Sequence, residues 1–323
     1  MVVVEAYDLT KIYASRAGKH VVVALEGLTM TVPQGEVYGL LGPAGAGKST
    51  LFKALFGLIK PNAGEVYING LQPSNPVSRG NIGFLPEKAQ FPGHLSARQL
   101  LNLAGQLFGM KQSDLDERTE LLLEQFDLHR WPDLKIKHFS KGLIQKVGIA
   151  QAMITDPDVL ILDEPFDGLD ERNKADLTKA IDKIRSEAKA IVISSYHRSN
   201  VESLADRIGI IKKGKILRTI NIAAIREDKC MYEIEANIGH AVFDVPPEVG
   251  KKVRVSTNNM IVELNKPEYV NAVIDEIRLK GVNIISIKPL NTKLEQSLYD
   301  EIAEPEDPKI EADAYIPRGK VKV

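Results

Sequence analysis

A glycine-rich loop that follows a short apolar run constrains the fold of this chain more than any other segment. The loop, Gly42-Pro-Ala-Gly-Ala-Gly-Lys48-Ser49, matches the pattern G-x-x-x-x-G-K-[ST] at every fixed position. The apolar run before it, Val37–Leu41, predicts a buried strand, and leucines at helical spacing after it predict a helix. Glycines let the backbone curl so that successive N–H groups point inward and can bind phosphate oxygens. The loop therefore predicts a strand–loop–helix unit with an anion site.

The loop predicts a nucleotide site, because its side chains supply what a phosphate chain and its metal require. The positive charge of Lys48 suits the β- and γ-phosphates, and the hydroxyl of Ser49 suits Mg²⁺. The N-terminus of the following helix adds a partial positive charge. The alternative is a glycine-rich turn that matches by chance. The nucleotide-binding residues predicted in this segment are Gly42, Pro43, Ala44, Gly45, Ala46, Gly47, Lys48, Ser49 and Thr50.

The hydrophobic pattern divides the chain of 323 residues into a large domain, a small domain and a tail. Residues 1–221 alternate short apolar runs with helical stretches, which is typical of an α/β domain with parallel strands. Within it, residues 86–156 have a helical pattern, with leucines at positions 95, 100, 103 and 107. Residues 222–304 predict a small α+β domain without a chemical motif. Residues 305–323 are rich in proline and charge, and we expect them to be flexible.

Charge and hydropathy give no support to a nucleic-acid partner or to a membrane span within the chain. The 42 basic and 43 acidic residues leave a net charge of −1, and no stripe of Lys and Arg indicates a nucleic-acid surface. No segment approaches the roughly 18 consecutive apolar residues that a membrane span requires, and the first residues lack the pattern of a secretory signal. The single cysteine, Cys230, excludes an internal disulfide. We therefore expect a chain that reaches a membrane only through a partner.

Two adjacent acids follow the apolar run Val159–Leu162. Because ligands of α/β sheets bind at the carboxyl ends of the strands, we expect Asp163 to lie beside the phosphate loop and to hold Mg²⁺ through water. Glu164 is then placed to orient the water that attacks the γ-phosphate and to take its proton. The alternative is that the two acids only end a strand before Pro165, where solvent screens their charge.

A third segment, Phe139-Ser-Lys-Gly142, precedes a predicted helix at Leu143–Thr155. Ser140 is a typical N-cap residue, and the positive end of the helix suits an anion. With the phosphate loop and the paired acids, this segment resembles the ATP-binding cassette (ABC) ATPases over roughly residues 1–220. It is similar to the family's signature motif, usually LSGGQ, although Lys141 and Leu143 depart from it. The resemblance implies that Ser140, Lys141 and Gly142 face the ATP held by a partner subunit; an ordinary capped helix is the alternative.

The resemblance also implies a fold and four further site residues. The fold is α/β, a P-loop NTPase ABC ATPase core with antiparallel β and helical subdomains plus a small C-terminal α+β domain. Tyr13 would stack on adenine, His197 would contact the γ-phosphate, and Asp170 would lie in the loop that touches the partner subunit. Glu87 stands where the family usually has the glutamine that senses Mg²⁺ and the transmembrane partner, and a carboxylate can approach the metal but cannot donate. A surface tyrosine and a structural histidine are the alternatives at Tyr13 and His197.

By resemblance, the chain is the ATP-binding and ATP-hydrolysing subunit of an ABC transporter of the drug- or ion-export type. ATP and Mg²⁺ are the expected cofactors. The expected partners are a separate transmembrane permease and a second ATPase subunit, identical or paralogous, which places the protein on the cytoplasmic face of the cell membrane. One alternative is a soluble ABC ATPase that acts on nucleic acid or ribosomes, although such chains generally carry two cassettes, a coiled-coil insertion or basic arms. Another is a module that senses ATP without turnover.

Two short patterns found in GTPases also occur in the chain. Asn173-Lys-Ala-Asp176 matches NKxD, and Asp206-Arg-Ile-Gly209 matches DxxG. A GTPase requires DxxG before NKxD, whereas the order is reversed in this chain. We therefore interpret both as chance matches of four residues.

Overall fold

The computed structural model describes residues 1–14, 21–223, 230–236, 245–256 and 258–290. The chain divides into two compact units, one built on Met1–Ile222 and the other on Ala223–Glu306. The tail predicted at residues 305–323 lies outside the described residues.

Both units combine β-strands with α-helices in the part of the chain that the structure describes. The strands are β1 (Val2–Ala14), β2 (Val21–Pro33), β3 (Val37–Leu41), β4 (Ala63–Ile68), β5 (Ile82–Leu85), β6 (Val159–Leu162), β7 (Ala190–Ser195), β8 (Arg207–Lys212), β9 (Lys215–Asn221), β10 (Cys230–Ala236), β11 (Gly250–Val255), β12 (Asn259–Leu264) and β13 (Ile284–Leu290). The α-helices are α1 (Lys48–Leu55), α2 (Pro76–Gly80), α3 (Ala97–Leu107), α4 (Gln112–Gln125), α5 (Lys141–Ala152), α6 (Glu171–Arg185), α7 (Arg198–Glu202) and α8 (Val270–Leu279). Two 3₁₀ turns lie at Ile136–His138 and Pro267–Tyr269.

A six-stranded sheet forms the centre of the first unit, in the order β5-β6-β7-β3-β8-β9. All neighbours pair in parallel except β8 and β9, which are antiparallel. Every residue of β3, β6 and β7 is buried. Burial on both faces explains why these strands are continuous apolar runs rather than alternating patterns. The strands predicted at residues 37–41 and 159–162 are confirmed, and the phosphate loop and the two acids therefore follow the carboxyl ends of parallel strands.

A three-stranded antiparallel sheet, of order β2-β1-β4, shares its core with the central sheet. Leu9 and Leu25 from the antiparallel sheet, Phe52 from α1 and Val159 from the central sheet belong to one buried cluster. Arg207 also links the two sheets, because its guanidinium donates to the Glu36 carboxylate at 2.8 Å and to the Thr31 carbonyl of β2 at 2.7 Å. Leu40 before the phosphate loop, Ala46 within it and Leu51 after it belong to the same cluster, so the shared core anchors the loop.

The segment with the helical pattern contains α3, α4, α5 and the first 3₁₀ turn. A capping box begins α3: the Ser96 hydroxyl accepts from the Gln99 N–H, and the Gln99 side chain accepts from the Ser96 N–H. Leu100 of α3 is buried, whereas Leu103 and Leu107, on the same helical face, are exposed. Part of this apolar face is therefore not covered by the first unit.

The second unit contains a four-stranded antiparallel sheet of order β11-β12-β10-β13 and the helix α8. Val273 and Ile277 of α8 are buried in one core with Ile234, Met260 and Val262 of the sheet. This arrangement is an α+β fold. The described residues of the chain contain no group of three or more His, Cys, Asp or Glu side chains placed to hold a metal.

Candidate active site

The phosphate loop follows β3 and leads directly into α1. At Gly42 a Cβ atom would lie 2.2 Å from the carbonyl oxygen of Ile211, a clash with backbone that excludes any side chain. Gly47 has a φ of 108°, a left-handed conformation that glycine adopts without steric cost, and it precedes the first helical residue, Lys48. The two glycines thus fix the path of the loop, and the helix begins at the lysine that the sequence predicted to bind phosphate.

The ammonium of Lys48 lies inside a buried polar cluster. Its Nζ donates to the carbonyl oxygens of Gly42 at 2.7 Å and Pro43 at 3.1 Å. Glu164 Oε1 lies 3.3 Å from the same nitrogen, with the lysine 4% and the glutamate 3% exposed. The ring centroid of Tyr196 lies 3.8 Å from Nζ, which is cation–π distance. The structure therefore brings the loop lysine and the predicted base into direct contact.

Ser194, the fifth residue of β7, holds the two acids in place. Its hydroxyl donates to Asp163 Oδ1 at 2.7 Å and accepts from the Glu164 N–H at 2.8 Å. The Asp163 N–H donates to the carbonyl oxygen of Leu85 at 2.9 Å, which ties the same turn to β5. Glu164 has a φ of 48°, an uncommon left-handed conformation for a residue with a side chain. These bonds keep both carboxylates at the end of β6.

Burial dominates the electrostatics of the lysine–glutamate pair. It raises the pKa of Glu164 from 4.5 to about 7, although Lys48 and the Tyr196 N–H, which donates to Oε2 at 3.1 Å, both favour the carboxylate. Burial also lowers the pKa of Lys48, against the opposite effect of Glu164, Asp163 and Glu87. A carboxyl with a pKa near neutrality suits a general base, because it exists in the free-base form and can still hold a proton.

Tyr196, rather than the neighbouring His197, faces this cluster. Burial raises the pKa of the Tyr196 hydroxyl to about 12, with further contributions from Glu164, Glu87 and Asp163, so the hydroxyl stays neutral at physiological pH. His197 is exposed and precedes α7; its N–H donates to Ser195 Oγ at 3.0 Å, and its imidazole makes no side-chain capping bond. The γ-phosphate contact predicted for His197 stays a prediction.

The other predicted residues of this site lie around the loop. Glu87 follows β5 and is half-buried, close enough to raise the pKa of Lys48. Ser49 and Thr50 are half-buried in the first turn of α1. Tyr13 is 40% exposed near the end of β1, paired with Val22 of β2. The same strand β2 borders the loop, because a Cβ on Gly47 would lie 2.4 Å from the carbonyl oxygen of Ala24 in β2.

The signature segment and the predicted dimer loop contact each other. Ser140 caps α5 as predicted, its hydroxyl accepting from the Leu143 N–H at 3.4 Å, although the helix begins at Lys141. Lys141 Nζ lies 3.0 Å from Asp167 Oδ2. Asp170 caps α6 by accepting from the Asn173 N–H at 2.8 Å, and this bond lowers the pKa of the Asp170 carboxyl. Gly142 is buried against the side chain of Asn173, where a Cβ would lie 2.5 Å from Oδ1.

A protein-family model described as ABC transporter matches residues 25–167, the span from the loop through the paired acids. An ABC transporter ATP-binding protein of Synechocystis is 35% identical over 306 residues, covering 87% of this chain and 86% of the relative. The chain belongs to the ABC transporter ATP-binding proteins. Its nucleotide site is therefore that of an ABC ATPase.

Other relatives and solved structures are similar to this ABC ATPase. The bacitracin transport ATP-binding protein of Bacillus licheniformis is 35% identical and covers 68% of this chain and 69% of the relative. The daunorubicin resistance ATP-binding protein of Streptomyces coeruleorubidus is 34% identical and covers 60% and 62%. The structure of an ATP-binding subunit of an ABC transporter has a TM-score of 0.61 at 30% identity and covers 69% of this chain and 92% of that one. A dimeric cassette in a post-hydrolysis state with ADP and phosphate has a TM-score of 0.61 at 25% identity, with coverage of 68% and 98%.

No α-helix among the described residues of this ABC ATPase is long and apolar enough to cross a membrane.

Two site residues of this ABC ATPase could not be assigned from the motifs. Ser194 had a signal, because it is a polar residue at the end of the apolar run Ile191–Ser194 and so points to the ligand edge of the sheet. Tyr196 had only a weak signal, because the resemblance to the family pointed to the adjacent His197.

Proposed function

We propose that this ABC ATPase hydrolyses ATP in a dimer and drives a separate transmembrane permease that exports its substrate. The observation that carries the catalytic part is the buried contact between Lys48 and Glu164, 3.3 Å apart at the mouth of the phosphate loop. The names of the bacitracin and daunorubicin relatives support the export part. The proposed location is the cytoplasmic face of the cell membrane, reached through the permease.

The residues divide the chemistry of an in-line attack by water on the γ-phosphate. Lys48 and the N–H groups of the loop counter the negative charge of the phosphates. Glu164, whose pKa burial raises to about 7, orients the water and takes its proton. Ser194 binds the backbone N–H of Glu164 and one carboxylate oxygen of Asp163. It does not engage the Glu164 carboxylate, which acts as the base, or the second oxygen of Asp163, which would face the metal ion.

The donor set suits Mg²⁺, a hard cation that takes oxygen ligands and keeps several waters. Ser49 supplies a hydroxyl, and Asp163 has one carboxylate oxygen that Ser194 does not use. Glu87 adds a carboxylate close enough to Lys48 to raise the pKa of its ammonium. The bound ion would neutralise charge on the phosphate chain, and these residues would position it.

The dimer part of the proposal rests on the segment at the start of α5. Ser140, Lys141 and the backbone at Gly142 form the positive N-terminus of α5 and would face the ATP of a second subunit, identical or paralogous. The dimeric cassette solved with ADP and phosphate supports this arrangement. Asp170 would lie at the same interface.

Replacement of Glu164 with glutamine tests the catalytic part. Loss of the base should lower kcat by about 10²- to 10⁴-fold, and the ATP-bound dimer should accumulate. Phosphate release measures the first effect, and size-exclusion chromatography with ATP measures the second. Glu117→Gln, the same change at an exposed position of α4, is the matched control and should leave both unchanged. Unchanged turnover in Glu164→Gln would contradict the assignment of the base.

The permease part is supported by an apolar groove between α3 and the segment that carries Glu87. The groove has a volume of about 340 Å³ and is lined by Pro86, Ala89, Gln90, Phe91, Leu100, Leu103, Ala104, Leu107, Phe108 and Gln151. Leu107 is 80% and Phe108 53% exposed. An apolar segment of the permease placed there would contact the residues on both sides of Glu87. It would thus reach the nucleotide site through one short loop.

The groove is tested by Leu107→Asp in cells that make the protein and its permease. The variant should leave the membrane fraction while the purified protein keeps its basal ATPase rate. Leu121→Asp, at a 48% exposed leucine of α4 that does not line the groove, is the control and should stay with the membranes. Equal membrane recovery of both variants would contradict docking in the groove.

The alternative of a soluble ABC ATPase that acts on nucleic acid or ribosomes is not favoured. The net charge of −1, with no stripe of Lys and Arg in the sequence, gives no support to the phosphate contacts on which binding of nucleic acid depends. The relatives named for transport argue in the same direction.

A further inference from the structure

The aromatic ring of Tyr196 lies against the ammonium that the phosphates of a nucleotide would bind. Its centroid is 3.8 Å from Lys48 Nζ. At this distance the negative face of the ring attracts the cation, and the attraction is strongest when the cation is shielded from water. Lys48 is only 4% exposed, so the contact is of the shielded kind.

The other groups around the Lys48 ammonium are fixed in the fold. Two are backbone carbonyls of the loop, Gly42 at 2.7 Å and Pro43 at 3.1 Å, and a third is the buried carboxylate of Glu164 at 3.3 Å. Tyr196 is 36% exposed. Of the groups that contact this ammonium in the described residues, the tyrosine ring is therefore the one that can rotate into solvent without breaking the loop or the sheet.

The backbone of Tyr196 does not need to move with its ring. Its N–H donates to Glu164 Oε2 at 3.1 Å, whereas its ring contacts the Lys48 ammonium. Rotation about the side-chain torsions of Tyr196 would move its ring away from the Lys48 ammonium. The backbone N–H of Tyr196 would stay bonded to the Glu164 carboxylate. His197 offers no comparable contact, since it is exposed and its N–H bonds to Ser195.

We propose that the ring of Tyr196 covers Lys48 and competes with the phosphates of the nucleotide for its ammonium. The proposal rests on the proposed function, because it takes Lys48 as the phosphate-binding lysine. A phosphate oxygen binds an ammonium through a charge-assisted hydrogen bond, which is stronger than a cation–π contact, so nucleotides displace the ring. Displacement has a free-energy cost, and the tyrosine thereby lowers the affinity for ligands that carry β- and γ-phosphates.

The test compares Tyr196→Leu, which removes the π face, with Tyr196→Phe, which keeps it. Calorimetric titration with Mg-ADP and with a non-hydrolysable ATP analogue should give about tenfold lower Kd values for the leucine variant. The phenylalanine variant should stay within about twofold of the wild type. Adenosine, which has no phosphate, should bind all proteins equally. Tyr7→Leu, the same change at a 42% exposed tyrosine of β1 outside the nucleotide site, is the matched control and should change none of these constants.

A Kd for Mg-ADP that is unchanged or higher in Tyr196→Leu would overturn the proposal, since it would mean that the ring is neutral or helps to hold phosphate. If the wild type itself does not bind Mg-ADP, the proposed function fails instead, so the two failures differ. If the leucine variant does not fold, Tyr196→Trp in a Trp131→Phe background provides a second readout. The fluorescence of the introduced indole should change with Mg-ADP and not with adenosine, and an equal response to both would also overturn the proposal.

Discussion

Replacing Glu164 with glutamine should make the stability of the ATPase unit less dependent on pH. The carboxyl is 3% exposed, and burial raises its pKa from 4.5 to about 7 even though Lys48 Nζ lies 3.3 Å away. The folded protein therefore favours the protonated form of the Glu164 carboxyl more than the unfolded chain does. Glutamine resembles the protonated acid in shape and never ionises, so the variant removes this titration and little else.

The sign and the size of the effect follow from the two pKa values. Because the folded pKa lies above the unfolded one, the stability contributed by proton binding is fully present below 4.5 and is lost as the pH rises through about 7. The gap between the two values corresponds to about 3 kcal/mol. The free energy of unfolding of the wild type, minus that of Glu164→Gln, should therefore fall by about 2–3 kcal/mol between about pH 5 and about pH 8.

Urea titrations at the two pH values measure this difference. Trp131 is the only tryptophan of the chain and belongs to the first unit, so its fluorescence follows unfolding of the ATPase unit. Glu164→Asp keeps a titratable carboxyl at the same place and should retain most of the wild-type dependence. If the wild type and Glu164→Gln gave parallel stability curves, Glu164 would not carry a raised pKa and could not be a base poised near neutrality.

Three further substitutions test other parts of the site. Gly42→Ala places a methyl group 2.2 Å from a backbone oxygen, so nucleotide binding should weaken at least about tenfold; Gly80→Ala, where a Cβ has free space, should bind normally by calorimetry. Ser194→Ala leaves a buried N–H and a buried carboxylate oxygen without their partner and should lower the free energy of urea unfolding by about 3 kcal/mol, whereas a change below about 1 kcal/mol would contradict the bridging role. Lys141→Ala breaks a half-exposed ion pair with Asp167, so stability should change by less than about 1 kcal/mol. The same change should reduce the ATP-dependent dimer on size-exclusion chromatography, and an unchanged dimer would argue against a contact between the signature and the partner's nucleotide.

The site residues that directly follow a strand or begin a helix could be predicted from the sequence. The loop follows β3, and Asp163 and Glu164 follow β6, because a parallel sheet brings the carboxyl ends of its strands to one edge. Ser140 was predicted to cap a helix, and its hydroxyl does so, because capping is decided within one turn.

The contact between the Tyr196 ring and the Lys48 ammonium could not be predicted from the sequence. Successive side chains of a strand point to opposite faces, but β7 ends at Ser195 and α7 begins at Arg198. In the two residues between, neither periodicity applies, and the direction of each side chain is set by the turn. The contact of the Tyr196 N–H with Glu164 fixes that turn, and it joins residues that are 32 positions apart.

Leu103 and Leu107 show a different limit. Their spacing from Leu100 predicts one apolar face of α3, and the face exists, but of these three leucines only Leu100 is buried. A hydrophobic pattern in the sequence indicates that a side chain is shielded from water. It does not indicate whether the same chain or another protein covers that side chain. Residues that face another protein therefore give the same signal as residues of the core.

The left-handed backbone of Glu164 has a consequence for engineering the protein. A non-glycine residue in this conformation costs about 1 kcal/mol or more, and the buried charge adds to that cost. Glycine at this position would relieve the backbone cost and remove the buried carboxylate, but it would leave the buried Lys48 ammonium, 3.3 Å away, without that partner. A search for heat-resistant variants that scored folding alone would weigh only these stability terms and would not protect the proposed catalytic base. Selection for thermal tolerance in this ATPase therefore needs a simultaneous screen for phosphate release, and Glu164 should be held constant in any library.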